Sequence, residues 1–147
     1  MEVSRKRTED AVHRAVNSLV SGTIRVTGGR LGASIGGMPA LELTTVGRTS
    51  GLPRPVMLTA AVCTDDMMVV VASRRGDPEN PQWYKNLCVN PEVTVALQGK
   101  APVRMHARPA TKDERATLWP QVVASWKGYQ KYQDKSPRTL PLVLLYK

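Results

Sequence analysis

Hydrophobic and polar residues alternate most regularly just after residue 40, where Leu41, Leu43 and Thr45 interleave with Glu42, Thr44 and Val46. A period of two in β-favouring residues predicts a strand with one face on a core. Gly47-Arg48-Thr49-Ser50-Gly51 then turns the chain, a return strand is predicted over 54–63, Thr64-Asp65-Asp66 makes a second turn, and residues 67–72 form a third, strongly apolar strand. The same alternation resumes over 92–97 and 102–108 around Gln98-Gly99-Lys100, the turn of another hairpin. A last strand is predicted over 139–146, where Leu142, Val143, Leu144 and Leu145 are apolar without interruption and so call for cover on both faces.

Between these strands the period lengthens. Thr8 suits an N-cap, Glu9 and Asp10 suit the positive end of a helix dipole, and Val12, Val16, Leu19 and Val20 recur at helical spacing before Gly22. This predicts an amphipathic helix within a lead-in of residues 1–27. Its apolar stripe packs on the core; with Arg5, Lys6, Arg7 and Arg14 on the same segment, peripheral contact with an anionic membrane is the other reading. Residues 22–39 hold six glycines and Pro39, which predicts an irregular loop or lid. Asn80 is read as the cap of a short helix with Pro81 in its first turn. Thr111 and Glu114 form a capping-box pattern ahead of a helix that Pro120 should break or bend near Trp119. Trp126, Tyr129 and Tyr132 follow at a spacing of three on a second piece. About six strands joined by short hairpins, with a few helices attached, predict an α+β domain built on a closed or nearly closed antiparallel barrel.

Length limits the chain to one domain, residues 1–147, with one real core. No stretch is long and apolar enough for a membrane span and no secretory signal pattern opens the chain, so the expected address is cytoplasmic. Cys63 and Cys88 lie outside any CxxC pair, and His13 and His106 are the only histidines, so no metal site is predicted. Charge changes the picture most. Twenty-one Lys and Arg against 12 Asp and Glu give a net charge of +9, which implies an anionic partner such as a nucleic acid, an acidic membrane or a polyanionic cofactor.

The candidate chemistry sits at the strand ends. In the 47–51 turn, backbone N–H groups, the hydroxyls of Thr49 and Ser50 and the Arg48 guanidinium can converge on a phosphate, although the P-loop pattern is absent. Arg54 opens the return strand, and Ala72-Ser73-Arg74-Arg75-Gly76 closes the next one, so two basic loops share a neighbourhood. The tripeptide at 75–77 is read as a chance match to an adhesion signal.

In order, LTTVGRTSG, ASRRG, NPQWYKNLCVNPEVTV and RTLPLV, preceded by GGRLGASIGGMP, resemble the deazaflavin-dependent nitroreductase family across residues 28–146. The resemblance implies a split β-barrel of the FMN-binding type, with coenzyme F420 in a cleft and its phosphate and oligoglutamate tail on basic loops. It implies that Arg48, Thr49, Ser50 and Arg54 hold the phosphate region and that Ala72 and Ser73 border the ring and acceptor. Arg74 and Arg75 would steer the anionic tail, and Pro81, Trp83 and Asn86 would surround the cofactor. Trp126, Tyr129 and Tyr132 would line the acceptor pocket, with Tyr132, Tyr129 and Ser73 as the catalytic candidates, one hydroxyl serving as proton or hydrogen-bond donor. Thr49 stands where the family commonly has Lys, Arg74-Arg75 where it has Lys-Gly, and Trp126 where a tyrosine is usual, so the grip on phosphate is expected to shift toward the arginines. The polyanionic cofactor accounts for the charge. The implied activity is F420H2-dependent hydride transfer to a small-molecule acceptor: a quinone, enone or nitroaromatic. The alternatives are an FMN-dependent split-barrel oxidoreductase and a non-catalytic F420 carrier. Nucleic-acid binding ranks low because the seven aromatics cluster late, without an interleaved stacking platform.

Overall fold

A computed structural model describes residues 34–35 and 37–147. The helix expected before Gly22, the membrane contact proposed for it and most of the glycine-rich loop lie outside the described residues. Among the described residues no helix is long and apolar enough to cross a membrane.

Strands β1 (Ser34–Ile35), β2 (Met38–Val46), β3 (Pro53–Thr59), β4 (Val62–Cys63), β5 (Met67–Val71), β6 (Glu92–Leu97), β7 (Val103–Pro109) and β8 (Leu142–Tyr146) form one sheet in the order β1-β2-β6-β7-β8-β5-β4, with β3 also on β2. Every pairing is antiparallel. The alternation at residues 41–46 holds, with Leu41, Leu43 and Thr45 fully buried. The structure has two strands more than the six expected. One is β1, within the stretch read as an irregular loop. The other arises because the single strand predicted over 54–63 divides at Ala60 and Ala61, whose N–H groups donate to Pro39 O and Val69 O, each at 2.8 Å. The chain thus leaves β2 as its partner and joins β5, and this crossing curls the sheet into a split barrel.

Two cores follow from strand parity. Val70, Val143 and Leu145 point into the barrel with Leu41 and Leu43, whereas Val69, Val71, Leu142 and Leu144 point outward beneath Val122, Tyr129 and Leu140. The unbroken apolar run of β8 is explained by this double cover.

Among the described residues three α-helices flank the sheet: α1 (Gln82–Val89), α2 (Lys112–Ser125) and α3 (Gly128–Lys135). The capping box of α2 forms as predicted, with Thr111 Oγ1 accepting from Glu114 N and Glu114 Oε1 accepting from Thr111 N. Pro120 does not break α2, which runs on to Ser125. Its exposed side costs one backbone bond, and the turn after it is anchored by fully buried Val122. The break falls at Trp126, in extended conformation (φ −160°, ψ 115°), so Trp126 links α2 to α3 and does not share a helix with Tyr129. The cap of α1 is Pro81, not Asn80. An asparagine before proline is driven into extended backbone, and Asn80 Oδ1 ends buried with no hydrogen-bond partner.

Candidate active site

Two neighbouring cavities open along β3. The first, about 660 Å³, lies between the β2–β3 turn and α1 and is lined by Gly47, Arg48, Thr49, Ser50, Arg54, Pro55, Val56, Gln82, Trp83 and Asn86. The turn that forms one wall is closed by Gly51 N donating to Gly47 O and Gly47 N donating to Leu52 O, both at 2.8 Å. Gly51 takes a left-handed φ of 71°. Gly47 matters for a different reason: a Cβ there would stand 2.5 Å from Ser50 Oγ and 3.3 Å from Arg54 Nε and Leu52 O, so a side chain would displace two groups that line the cavity.

Arg48 is held rigidly. Its Nη1 donates to Asn86 Oδ1 at 2.8 Å, its backbone N–H to the same oxygen at 3.2 Å, and its Nη2 to Gln82 Oε1 at 2.7 Å. Asn86 in turn donates from Nδ2 to Thr45 Oγ1 at 3.1 Å, deep in the barrel. A buried amide thereby ties the cation to the core through three hydrogen bonds, and both its oxygen and its nitrogen are engaged. Arg54 Nη2 donates to Ser50 Oγ at 3.2 Å. Two guanidinium groups, two hydroxyls and the apolar Val56 and Trp83 share this wall, a donor set that suits a phosphate joined to a flat ring.

The second cavity, about 410 Å³, lies between the far end of β3 and α3 and is lined by Met38, Met57, Leu58, Thr59, Val71, Ser73, Arg75, Trp126, Tyr129 and Tyr132. The Trp126 ring packs edge-on against Tyr129 and Tyr132, with centroids 5.0 and 5.4 Å apart. Gly128 permits this arrangement, because a Cβ at that position would collide with the Trp126 ring. Tyr129 is buried, and its hydroxyl shares a 3.0 Å hydrogen bond with Thr59 Oγ1. Burial pushes its phenol above the usual value, with the Thr59 bond opposing and Tyr132 adding to the rise. It therefore stays protonated at neutral pH.

The loop between β5 and α1 separates the two arginines expected to act together. Arg74 (φ 41°), Arg75 (φ 57°) and Gly76 (φ 80°) are successively left-handed. Arg74 Nη1 turns away toward Glu79 Oε2 at 3.4 Å and Asp77 Oδ1 at 4.0 Å. Lys85, hydrogen-bonded to Glu79, and Arg74 beside it hold that carboxyl below the usual range. Arg75 instead lines the aromatic cavity. Gly76 packs directly on α3, where a Cβ would lie 2.6 Å from Tyr132 O.

Of the residues singled out in the sequence, Arg48, Thr49, Ser50, Arg54, Trp83 and Asn86 meet in the first cavity, and Ser73, Arg75, Trp126, Tyr129 and Tyr132 in the second. Ala72, Arg74 and Pro81 line neither. Ala72 is fully buried, its N–H donating to Pro141 O and its carbonyl accepting from Arg138, so it offers a ligand no group. Pro81 is buried as the cap of α1. Sequence reasoning passed over Thr59, which partners Tyr129, and Gln82, which orients Arg48. It also passed over Arg138, whose Nε and Nη atoms donate to the carbonyls of Asp77 at 2.9 Å, Ala72 and Ser73 at 3.0 Å and Glu79 at 3.3 Å. The placement of Arg138 in RTLPLV was its only signal. No group of three or more His, Cys, Asp or Glu stands in metal-binding reach among the described residues.

A family model described as F420H(2)-dependent quinone reductase matches residues 17–147. An F420H(2)-dependent quinone reductase of Mycobacterium tuberculosis is 35% identical over 148 aligned positions, 95% of this chain and 87% of the relative. Among solved structures, an F420-H2 dependent reductase (FDR-A) superposes with a TM-score of 0.65 at 33% identity, covering 73% of this chain and 93% of the other. A domain-swapped dimer superposes with a TM-score of 0.66 at 30% identity, covering 95% and 98%. Quinone, one of three acceptor classes expected from the sequence, is the one these names carry; none names a nitro compound.

Proposed function

Because the chain belongs to the F420H(2)-dependent quinone reductase family, we propose that it passes hydride from F420H2, bound along β3, to a quinone in the aromatic cavity. The observation that carries this reading is the sharing of one strand: Pro55 and Val56 line the cationic cavity, and Met57, Leu58 and Thr59, next in sequence, line the aromatic one. Two reactants laid along β3 are neighbours by construction.

The residues present fit the cofactor. Arg48 and Arg54, with the Thr49 and Ser50 hydroxyls, offer charge-assisted donors for its phosphate, and the Gly47 position lets the turn fold tightly around them. Trp83 and Val56 give its ring an apolar wall. When bound, the deazaflavin supplies the hydride, because carbon in place of a flavin's N5 favours two-electron transfer. The chain contributes position: proximity and orientation supply on the order of 7–11 kcal/mol toward such a barrier. Met38, Met57 and the Trp126 ring give the acceptor an apolar and aromatic surface to lie against. Ser73 and Tyr132, whose hydroxyls make no hydrogen bond to another described residue, are the groups left to donate to an acceptor oxygen. Tyr129 braces the wall through Thr59.

Titration of the purified protein with F420, followed by cofactor fluorescence, and oxidation of F420H2 by 1,4-naphthoquinone test this reading together. Binding in the micromolar range and quinone-dependent oxidation are expected. An absence of quenching removes the reading.

A further inference from the structure

We propose that Arg75 is an anion-recognition residue of the acceptor cavity, binding an ionised oxygen on the acceptor ring rather than the anionic tail of the cofactor. This rests on the preceding assignment of the aromatic cavity to the acceptor.

Four observations converge on it. Arg75 is held at φ 57° between two further left-handed residues, a conformation in which glycine would be unstrained and arginine is not. Strain of this kind persists only where the surroundings over-determine it, and Arg138 provides the determination. Its guanidinium bonds the carbonyls of Ala72, Ser73, Asp77 and Glu79, which flank the turn on both sides. The clamp fixes the turn so that Arg75 lines the aromatic cavity.

The electrostatics distinguish the two adjacent arginines. Arg74 is within 4.0 Å of both Asp77 and Glu79, so its charge is largely answered by the protein itself. Arg75 makes no ion pair with any described residue, and it is the sole ionised side chain in a lining otherwise made of methionine, leucine, valine, hydroxyl and aromatic groups. Arg75 is exposed at the cavity's mouth, and with no carboxylate of a described residue paired to it, its guanidinium is available to an anion that enters against the aromatic wall. Tyr129 shares its hydroxyl with Thr59 and carries no charge, so Arg75 is the cation of this lining.

The reaction creates such an anion. Hydride addition to a neutral quinone forms one new bond to hydrogen and leaves the electron pair's negative charge on a ring oxygen; a proton from solvent then completes the hydroquinone. The hydride and its two electrons would leave a C–H bond of F420H2, which would be oxidised to F420 as the quinone is reduced. The Arg75 guanidinium stabilises that oxygen before protonation and would equally hold an acceptor that enters already ionised.

The test uses the full chain without cofactor and reads quenching of tryptophan fluorescence by two ring-matched probes, 2-hydroxy-1,4-naphthoquinone, ionised at neutral pH, and uncharged 1,4-naphthoquinone. Arg75→Gly removes the guanidinium while keeping the left-handed backbone, and Arg75→Lys restores a charge. Loss of one charged hydrogen bond predicts roughly tenfold weaker binding of the ionised probe to Arg75→Gly, with partial recovery in Arg75→Lys. The uncharged probe and F420 should each keep their dissociation constants within about twofold. Equal binding of the ionised probe by Arg75→Gly and wild type overturns the proposal, as does wild type binding neither probe. Weakened F420 with unchanged probes also overturns it and returns Arg75 to the cofactor tail. Failure of wild type to bind F420 at all sinks the cofactor assignment separately, without touching the probe result.

Discussion

Replacing Asn86 tests whether the cationic cavity is a built site or an incidental surface. Asn86→Ala removes three hydrogen bonds at once: the 3.1 Å bond to Thr45 Oγ1 and the 2.8 and 3.2 Å bonds from Arg48. Thr45 is fully buried, so its hydroxyl is left without a partner, which costs about 1–3 kcal/mol. Arg48 retains Gln82 and regains water, so its part of the loss lies near the low end of the roughly 1.5–3 kcal/mol assigned to charged bonds. A total near 3 kcal/mol corresponds, for a chain of this length, to a fall in Tm of about 6–12 °C. Asn86→Asp behaves differently. A carboxylate still accepts from Arg48 and from the Thr45 hydroxyl, so less than half of that fall is expected. Its negative charge, however, stands in the phosphate wall and answers Arg48, and F420 binding should weaken by more than about tenfold, a change of about 1.4 kcal/mol. The two substitutions therefore rank in opposite orders: alanine is worse for stability, aspartate for affinity. Thermal melts and fluorescence titration on both variants decide the matter. A melt for Asn86→Ala indistinguishable from wild type refutes the hydrogen-bond account, and undiminished F420 affinity in Asn86→Asp refutes the phosphate assignment.

Two further expectations are independent of that site. Arg138→Lys preserves the charge but not the planar fork that spans four carbonyls, so the turn it clamps should open more readily. The amides of Gly76 and Asp77, which donate to Ser73 O and Arg74 O, should exchange with deuterium at least about tenfold faster, corresponding to about 1.4 kcal/mol of lost local stability, and unchanged exchange would count against the clamp. Glu114 is drawn down from 4.5 to about 2, first by its hydrogen bond with Arg108 and then by the Thr111 backbone. A depressed carboxyl stabilises the fold above its unfolded value and loses that contribution as pH falls through the folded one. The Tm difference between wild type and Glu114→Gln should therefore be constant at neutral pH and shrink as pH falls from 4.5 toward about 2; a difference that stays the same across that window would rule out the pair.

The barrel was legible because its strands obey local rules. Leu41, Leu43 and Thr45 fall on the buried face that their alternation demands, and the four-residue apolar run of β8 is covered on both sides as such a run must be. The division at Ala60 and Ala61 was not legible, since small apolar residues carry no turn signal; the break is imposed from outside by Pro39 and Val69. Pro120 shows the reverse case, a strong local breaker overruled by the anchoring of the helix beyond it. Within the site, parity along β5 separates Ala72 from the residues around it: Val70 and Ala72 share the inward face, so a wall position for Ala72 conflicted with a period visible in the sequence. The difference between Arg74 and Arg75 had no comparable signal, because it depends on two left-handed φ angles and on a guanidinium 63 residues farther along the chain at Arg138.

Long range also explains why the motifs alone did not show two cavities. GRTSG and NPQWYKNL meet because α1 packs beside β2, and ASRRG meets the Trp126–Tyr132 region because Gly76 seats the turn on α3. What joins the two meetings is β3, whose seven residues carry little recognisable pattern: Pro53, Arg54 and Met57 are exposed, and the others are half-buried. A strand that packs one partner and borders a cleft on its other edge has no reason to alternate cleanly, so the segment with the weakest periodicity is the one that both cavities share. Irregular burial along an otherwise β-favouring segment, flanked by a cationic turn and followed by an aromatic helix far downstream, is thus itself a mark of the shared strand.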